Sequence, residues 1–409
     1  MRLVFVNQCH PETPHVCATR LREFAQAMAR RGHQVVLLTE PLAGGADETV
    51  RPEALAEALS RHDWGRPFRL VTTPTASPLL VAAREGRVPA PLRKAVIAGT
   101  YCLRGGVRTD WRDGSRPFWG ALARSFRPEV AWGTFGNTDT WAITQGVARA
   151  AGCPWVMDLK DPWGIFVPAP LRHRLARRFA DAAAATVFSR QHAADTARYF
   201  DIETTVVYSG IGPEFLSPPD AATPEDIFTL VGGVYDGAAL RDLVSGLRSW
   251  LENDPPSKRI TLAYAGADRG AVAAACEPLR SLCRLDLRDY LPLAELRRRL
   301  TASRLVLYVR SPSSLFQHKL FELLATGRPI LCLPTESDEA RDIANAVAGA
   351  VGDALYDCAS AAEVPAAVER ALSSSPTVDR AALGRYGWDA QGDILAQVLD
   401  RARTKGGKR

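Results

Sequence analysis

The chain has 409 residues, 46% hydrophobic and 23% charged, with a formal net charge of +6. That length supports two domains with separate cores, and no apolar run approaches the roughly 18–20 residues that cross a bilayer. The basic excess lies in runs such as Arg172, Arg174, Arg177 and Arg178 and in the tail Arg401, Arg403, Lys405, Lys408 and Arg409. Such runs read as solvated helix faces compatible with peripheral docking on an anionic inner membrane surface. Without zinc-finger spacing or interleaved aromatics, no nucleic-acid partner is expected.

The opening MRLVFVNQCH carries only a short apolar stretch after Arg2. It reads as a buried strand and not a secretory signal, so a cytoplasmic location is expected. None of the eight cysteines forms a C-x-x-C pair, which points to reduced thiols. A strand at 3–7 leads through the loop QCHPETPHVCAT to a helix with Leu21, Phe24, Ala25 and Met28 on one face. Gly32 caps it, and VVLLTE (35–40) forms the next strand. Strand, helix and continuous apolar strand make a βαβ unit of a parallel sheet. Further strands are expected at 69–74, 129–135, 154–159, 185–189 and 204–209, while 76–118 has no assignment.

SPPDAATPED (217–226) reads as a linker. The pattern then restarts with FTLVGGVY (228–235) and a helix carrying Leu240, Leu243, Val244, Leu247 and Leu251. ITLAYAG, LRLDLRDYLP, a helix near 293–302, RLVLYV and HKLFELLATGRPILCLP (318–334) continue it. Alternation in both halves gives an α/β chain of two tandem Rossmann-like domains, with ligands expected in a cleft facing the C-terminal strand ends. The expected division is 1–217 for an acceptor domain, 218–380 for a nucleotide-sugar domain, and 381–409 for a helix returning to the first domain with a basic tail.

No P-loop, no G-x-G-x-x-G after the first strand and no G-x-S-x-G elbow are present. Missing glycines disfavour a Rossmann oxidoreductase. Cys9, His10, His15 and Cys17 share the first loop, but their spacing matches no common zinc site and adjacent Cys–His ligands are awkward. No metal is expected.

KLFELLATGRPILCLP resembles the C-terminal-domain signature of retaining glycosyltransferases of the GT-B fold, family 4-like group. The matching residues are Lys319, Leu320, Glu322, Leu323, Leu324, Ala325, Gly327, Pro329 and Ile330–Leu333. Pro11, Glu12, Ala18, Arg20, Gly32, His33 and Val35 resemble the family's opening, and WVMDLKDPWG (155–164) its Asp–x–Arg–Asp–x–Trp segment with Lys160 for Arg. RYGWDAQGDILAQVL resembles the terminal helix that crosses back onto the first domain.

The resemblance implies a metal-independent enzyme with no cofactor, moving a sugar from a nucleoside diphosphate sugar to a hydroxyl acceptor with retention. The acceptor would be a saccharide, a lipid-linked sugar or a small molecule, in polysaccharide or glycan assembly. Glu322 would accept both ribose hydroxyls, a task suited to a carboxylate. Lys319 would stabilise the departing diphosphate. Arg310, Gly232, Gly233 and the signature helix's N-terminus would complete the nucleotide-sugar site. Ser314 stands where the family has a sugar-facing Glu, and Val234, Tyr235 and Asp236 follow where Arg and Lys are usual. Asp158, Lys160 and Asp161 are expected on the rim beside the reacting sugar as the catalytic set, with His10, His15 and Asn137 towards the acceptor. Rival readings are a nucleotide-sugar epimerase and a non-catalytic binding protein of the same architecture.

Overall fold

The computed structural model describes residues 1–42, 50–75, 77–218, 223–253, 260–311, 314–349 and 353–406. They form two compact units, Met1–Ser209 with Trp388–Arg409, and Gly210–Gly387.

The first unit holds a seven-stranded sheet of order β3-β2-β1-β4-β5-β6-β7. The strands are β1 Arg2–Val6, β2 Gln34–Thr39, β3 Arg69–Thr72, β4 Val130–Thr134, β5 Trp155–Leu159, β6 Ala184–Val187 and β7 Thr204–Val206. All pairings are parallel, with Leu3 opposite both Val35 and Val130. Covering on both faces explains the unbroken apolar strands. Leu3 and Phe5 pack with the helix Val16–Arg30 and the terminal helix Trp388–Gly406, whereas Val4 and Val6 pack with Trp111, Phe118 and Leu122. Phe24 and Trp388 meet edge-on at 5.3 Å. The terminal helix therefore belongs to the first unit's core, and its basic residues are paired: Lys405 with Glu203, and Arg403 with Asp400 and Glu129.

The second unit has a six-stranded parallel sheet of order β10-β9-β8-β11-β12-β13. Its strands are β8 Glu225–Val231, β9 Thr261–Ala265, β10 Arg284–Arg288, β11 Ser303–Val309, β12 Ile330–Leu333 and β13 Leu355–Asp357. The expected helix face is its core, with Leu240, Leu243, Val244 and Leu247 buried against Phe228, Leu230 and Leu262. Both sheets reverse strand order once, between β1 and β4 and between β8 and β11. Open α/β sheets bind ligands beyond the carboxyl strand ends at such points.

Three differences from the sequence reading have physical reasons. The unassigned stretch holds helices Pro78–Arg84, Ala90–Arg104 and Thr109–Ser125. Ala90–Arg104 buries none of its residues, so it carries no core periodicity to read. The linker is shorter than 217–226, since β8 already begins at Glu225; residues 219–222 lie outside the described residues. The unit boundaries fall at Ser209/Gly210 and Gly387/Trp388, because Ile211 pairs with Gly387 and the short helix Pro213–Leu216 stays with them.

Candidate active site

In the second unit, β8 ends in the turn Gly232–Gly233. Gly232 has φ +78°, a left-handed conformation that favours glycine. Tyr264 Oη donates to the Gly232 carbonyl at 2.9 Å, and Asp268 accepts from the Val234 amide at 2.8 Å, so the turn is fixed from β9.

Lys319 opens the seven-residue helix Lys319–Ala325 that follows β11, with His318 as its N-cap residue. Its Nζ lies over the Tyr308 ring, 5.0 Å from the centroid, and 3.5 Å from the Val309 carbonyl. Among the described residues no carboxylate is within 4 Å of it. Burial lowers its pKa to about 8, against the raising pull of Cys332, Glu336 and Glu322. Glu322, one turn on, keeps 30% of its side chain exposed and stands 3.4 Å from His318 Nε2. Its carboxylate is reachable, whereas Leu320, Phe321, Leu323, Leu324 and Ala325 of the same helix are buried.

Arg310 differs from its expected role as a free phosphate ligand. Its Nε pairs with Glu336 at 3.2 Å and an Nη donates to the Thr335 carbonyl at 2.9 Å. Glu336 also accepts from Tyr308 Oη and from the Ser337 amide, at 2.8 and 2.7 Å. A buried carboxylate matched by three donors, Arg310 Nε among them, immobilises Arg310 at the end of β11. Ser314 lies in the loop between β11 and the signature helix, where its amide bonds to the Ser311 carbonyl at 3.0 Å. Pro312 and Ser313 lie outside the described residues.

In the first unit the expected rim triad divides. Asp158 is fully buried, so its placement on a rim is corrected. Arg20 reaches it from the first helix with Nη2 and Nε at 2.7 and 3.0 Å, and Thr186 Oγ1 donates at 2.7 Å. Arg20 also holds Ser209 Oγ and the Val207 carbonyl. The carboxylate thus ties the first helix to three strand ends, and no oxygen faces an acceptor. Lys160 and Asp161 lie one step further along the chain and pair at 3.1 Å. Burial pushes the Asp161 carboxyl up although Lys160 opposes it. A side-chain hydrogen bond from Cys9 pulls the Cys17 thiol down, helped by Lys160.

His10 is buried and accepts from the Glu12 amide through Nδ1 at 3.2 Å, folding the loop on itself. His15 is exposed and caps the helix Val16–Arg30 by accepting from Cys17 N. Asn137 also caps a helix: its Oδ1 accepts from the Asp139 and Thr140 amides, and its Nδ2 donates to Gln8 at 3.0 Å. Both are helix caps first, so a direct acceptor role is open only to whatever hydrogen-bonding capacity remains. Asn137 nevertheless lines a cavity of ≈ 720 Å³ at the C-terminal ends of β1 and β4, together with Gln8, Arg84, Arg93, Lys94, Tyr101 and Arg108.

Sequence reasoning missed this cavity, since half its wall comes from the unassigned helices. The Arg-rich composition of that stretch was the available signal. It also gave Arg20 and Glu336 no role; a charged residue on an apolar helix face, as at Arg20, was the cue.

No protein-family model matches the chain, and no curated protein matches it. Solved structures match along nearly its whole length. The α,α-trehalose-6-phosphate synthase of Burkholderia multivorans superposes with TM-score 0.65 at 12% identity, covering 100% of this chain and 98% of the other. The Burkholderia xenovorans enzyme, solved with glucose-6-phosphate, gives 0.63 at 10% over 98% and 100%. Anabaena HepE, solved with UDP and glucose, gives 0.59 at 14% over 98% and 99%. The chain therefore has the GT-B fold, with two Rossmann-like units in tandem.

Proposed function

We propose that the chain is a glycosyltransferase that moves a sugar from a nucleoside diphosphate sugar to a saccharide hydroxyl. One observation carries the reading: a reachable Glu322 one turn from Lys319, a lysine with no carboxylate within 4 Å among the described residues, beyond the end of β11. A carboxylate accepts two hydroxyl donors at once, which suits a ribose diol. An underpaired ammonium suits a diphosphate whose negative charge grows as the glycosidic bond breaks. Solved neighbours of the same fold carry UDP with glucose and, in another case, glucose-6-phosphate, which supports a nucleotide-sugar donor and a saccharide acceptor.

The acceptor side of this reading is the cavity beside Gln8 and Asn137. Its wall mixes Arg93 and Lys94 with Ile97 and Tyr101, a lining suited to an anionic sugar or a lipid-linked one. Lys160 and Asp161 are the residues of the original triad retained for the transferred sugar. Retention of anomeric configuration and a place in glycan assembly belong to the same proposal and follow the sequence resemblance.

The test is a thermal-shift panel of nucleoside diphosphates on the wild type and Glu322→Ala. One diphosphate is expected to raise the wild-type midpoint by mass action. Losing charge-assisted hydrogen bonds worth about 1.5–3 kcal/mol should weaken it about ten- to a hundredfold in the variant. Equal shifts in both proteins would remove Glu322 from the site. Sugar conversion with no acceptor present would replace transfer by epimerisation.

A further inference from the structure

The loop after β1 brings together three side chains that ligate soft and borderline metals. Cys9 Sγ, Cys17 Sγ and a ring nitrogen of His15 all lie within 4.8 Å of one another. Cys9 Sγ and His15 Nδ1 are 3.9 Å apart. In a tetrahedral zinc site, bonds of about 2.3 Å to sulfur and about 2.0 Å to nitrogen put S···N at about 3.5 Å and S···S at about 3.8 Å. The three atoms thus stand within about an ångström of three corners of such a site.

The backbone explains why they converge. Cys9 is set by a turn in which its amide donates to Asn7 Oδ1 at 2.8 Å. Cys17 is held in the first turn of the helix Val16–Arg30, and His15 is the cap immediately before it, its Nδ1 accepting from the Cys17 amide at 3.2 Å, a bond that a metal on that nitrogen would replace. His10, adjacent to Cys9 in sequence, is turned into its own loop and is no member of the set. The awkward neighbouring pair that argued against a metal is therefore not the geometry the fold presents. Lys160 acts electrostatically on Cys17, but Asp161 pairs with that lysine at 3.1 Å and offsets its charge.

We propose that Cys9, His15 and Cys17 form a binding site for a thiophilic divalent cation of the zinc type. Two sulfurs and an imidazole select against magnesium and calcium, which prefer oxygen. Three protein ligands leave a fourth position for water or a hydroxyl oxygen. Binding displaces the two thiol protons to solvent. It also pins the loop from which Gln8 reaches Asn137 and Thr140. The inference does not depend on the donor reading, since its test uses neither nucleotide nor transfer.

The experiment titrates the reduced, metal-stripped full chain with cobalt and zinc. One equivalent of cobalt should bind with thiolate-to-metal charge-transfer absorption, and zinc should displace it. Cys9→Ser and Cys17→Ser should each lower that absorption by about half and weaken zinc at least about tenfold; His15→Ala should weaken zinc while keeping the absorption. In the wild type, zinc should shield Cys9 and Cys17 from alkylation while exposed Cys102 reacts unchanged. Zinc uptake no greater than that of a folded Cys9→Ser/Cys17→Ser chain would overturn the site, as would unaltered alkylation of both cysteines. Formation of a Cys9–Cys17 disulfide on exposure to air in excess zinc, with dioxygen taking up the two electrons and two protons, would also overturn it and assign the pair to thiol redox chemistry.

Discussion

Arg20 and Asp158 in the first unit are both shut off from water, with the carboxylate gripped by two guanidinium nitrogens and a threonine. Lys319 in the second unit opens the helix that follows β11, and has a ring face, a carbonyl at 3.5 Å and no carboxylate within reach among the described residues. The first arrangement is finished and has nothing left to offer a ligand. The second is desolvated without being fully matched among the described residues, and in the proposed reading a ligand phosphate supplies what is missing. Burial of charge therefore does not by itself mark a site; burial without a full set of partners does.

Breaking the finished arrangement should have the largest effect. Asp158→Ala strands a buried guanidinium, so urea unfolding should show a loss of about 3–5 kcal/mol. The double change Arg20→Met/Asp158→Leu should recover much of it, because neither charge is then left alone. A loss of under about 1 kcal/mol in the single variant would show that the pair is not a structural tie.

The unfinished arrangement should respond with the opposite sign. Lys319→Met removes a buried cation, so the free protein should be no less stable, while the thermal shift from a nucleoside diphosphate should shrink. With a folded pKa near 8 against an ordinary 10.5, the folded lysine gives up its proton first. Folding stability from this group therefore rises as pH climbs from about 8 towards 10.5, because the unfolded chain then binds more protons. Diphosphate affinity should fall over the same climb as the cation is lost. Isothermal titration across that window checks both, and an affinity that is flat with pH would take Lys319 out of the phosphate site.

A smaller effect is expected at His192. It is buried between Ser189, whose hydroxyl is 2.7 Å from Nδ1, and the charges of Lys160 and Arg20. Burial first, and those cations second, lower its pKa to about 3. Its contribution is complete above about pH 6.5 and is lost as pH falls towards 3, since the unfolded chain takes up the proton. His192→Gln should flatten the acid limb of a stability–pH curve; an unchanged limb would assign acid sensitivity elsewhere. Least of all should come from Arg30 and Asp389, an ion pair at 2.8 Å whose side chains are 49% and 69% exposed. Asp389→Ala should shift unfolding by about 0–1 kcal/mol and less in high salt.

Much of the second unit could be read along the chain. The helix–Gly–Pro–strand run at 318–334 sets its own geometry: Leu320, Leu323 and Leu324 bury one side, Gly327 takes φ +67°, and the polar pair is left at the edge. Arg310 could not be read this way, because its partner Glu336 comes from the segment after the next strand. In the first unit the charges at 158–161 looked alike in sequence. Asp158 points into the sheet layer and Asp161 lies beyond the strand, a difference created by the strand's last residues and by an arginine 138 positions away.

The order of apolar strands and one-sided helices was enough to determine two parallel α/β units, because periodic burial is a local requirement that each segment meets with its own residues. The same run of letters fixed Glu322 on a reachable helix edge. Only the tertiary structure decided which charges are fully paired, where the cavity beside Gln8 and Asn137 opens, and that Cys9, His15 and Cys17 meet without His10. The first two depend on which strand ends become neighbours when the sheet order reverses, and adjacency across a reversed sheet leaves no periodic trace in the chain; the third is set by the turn at Asn7 and the helix cap at His15, whose side-chain directions no residue spacing states.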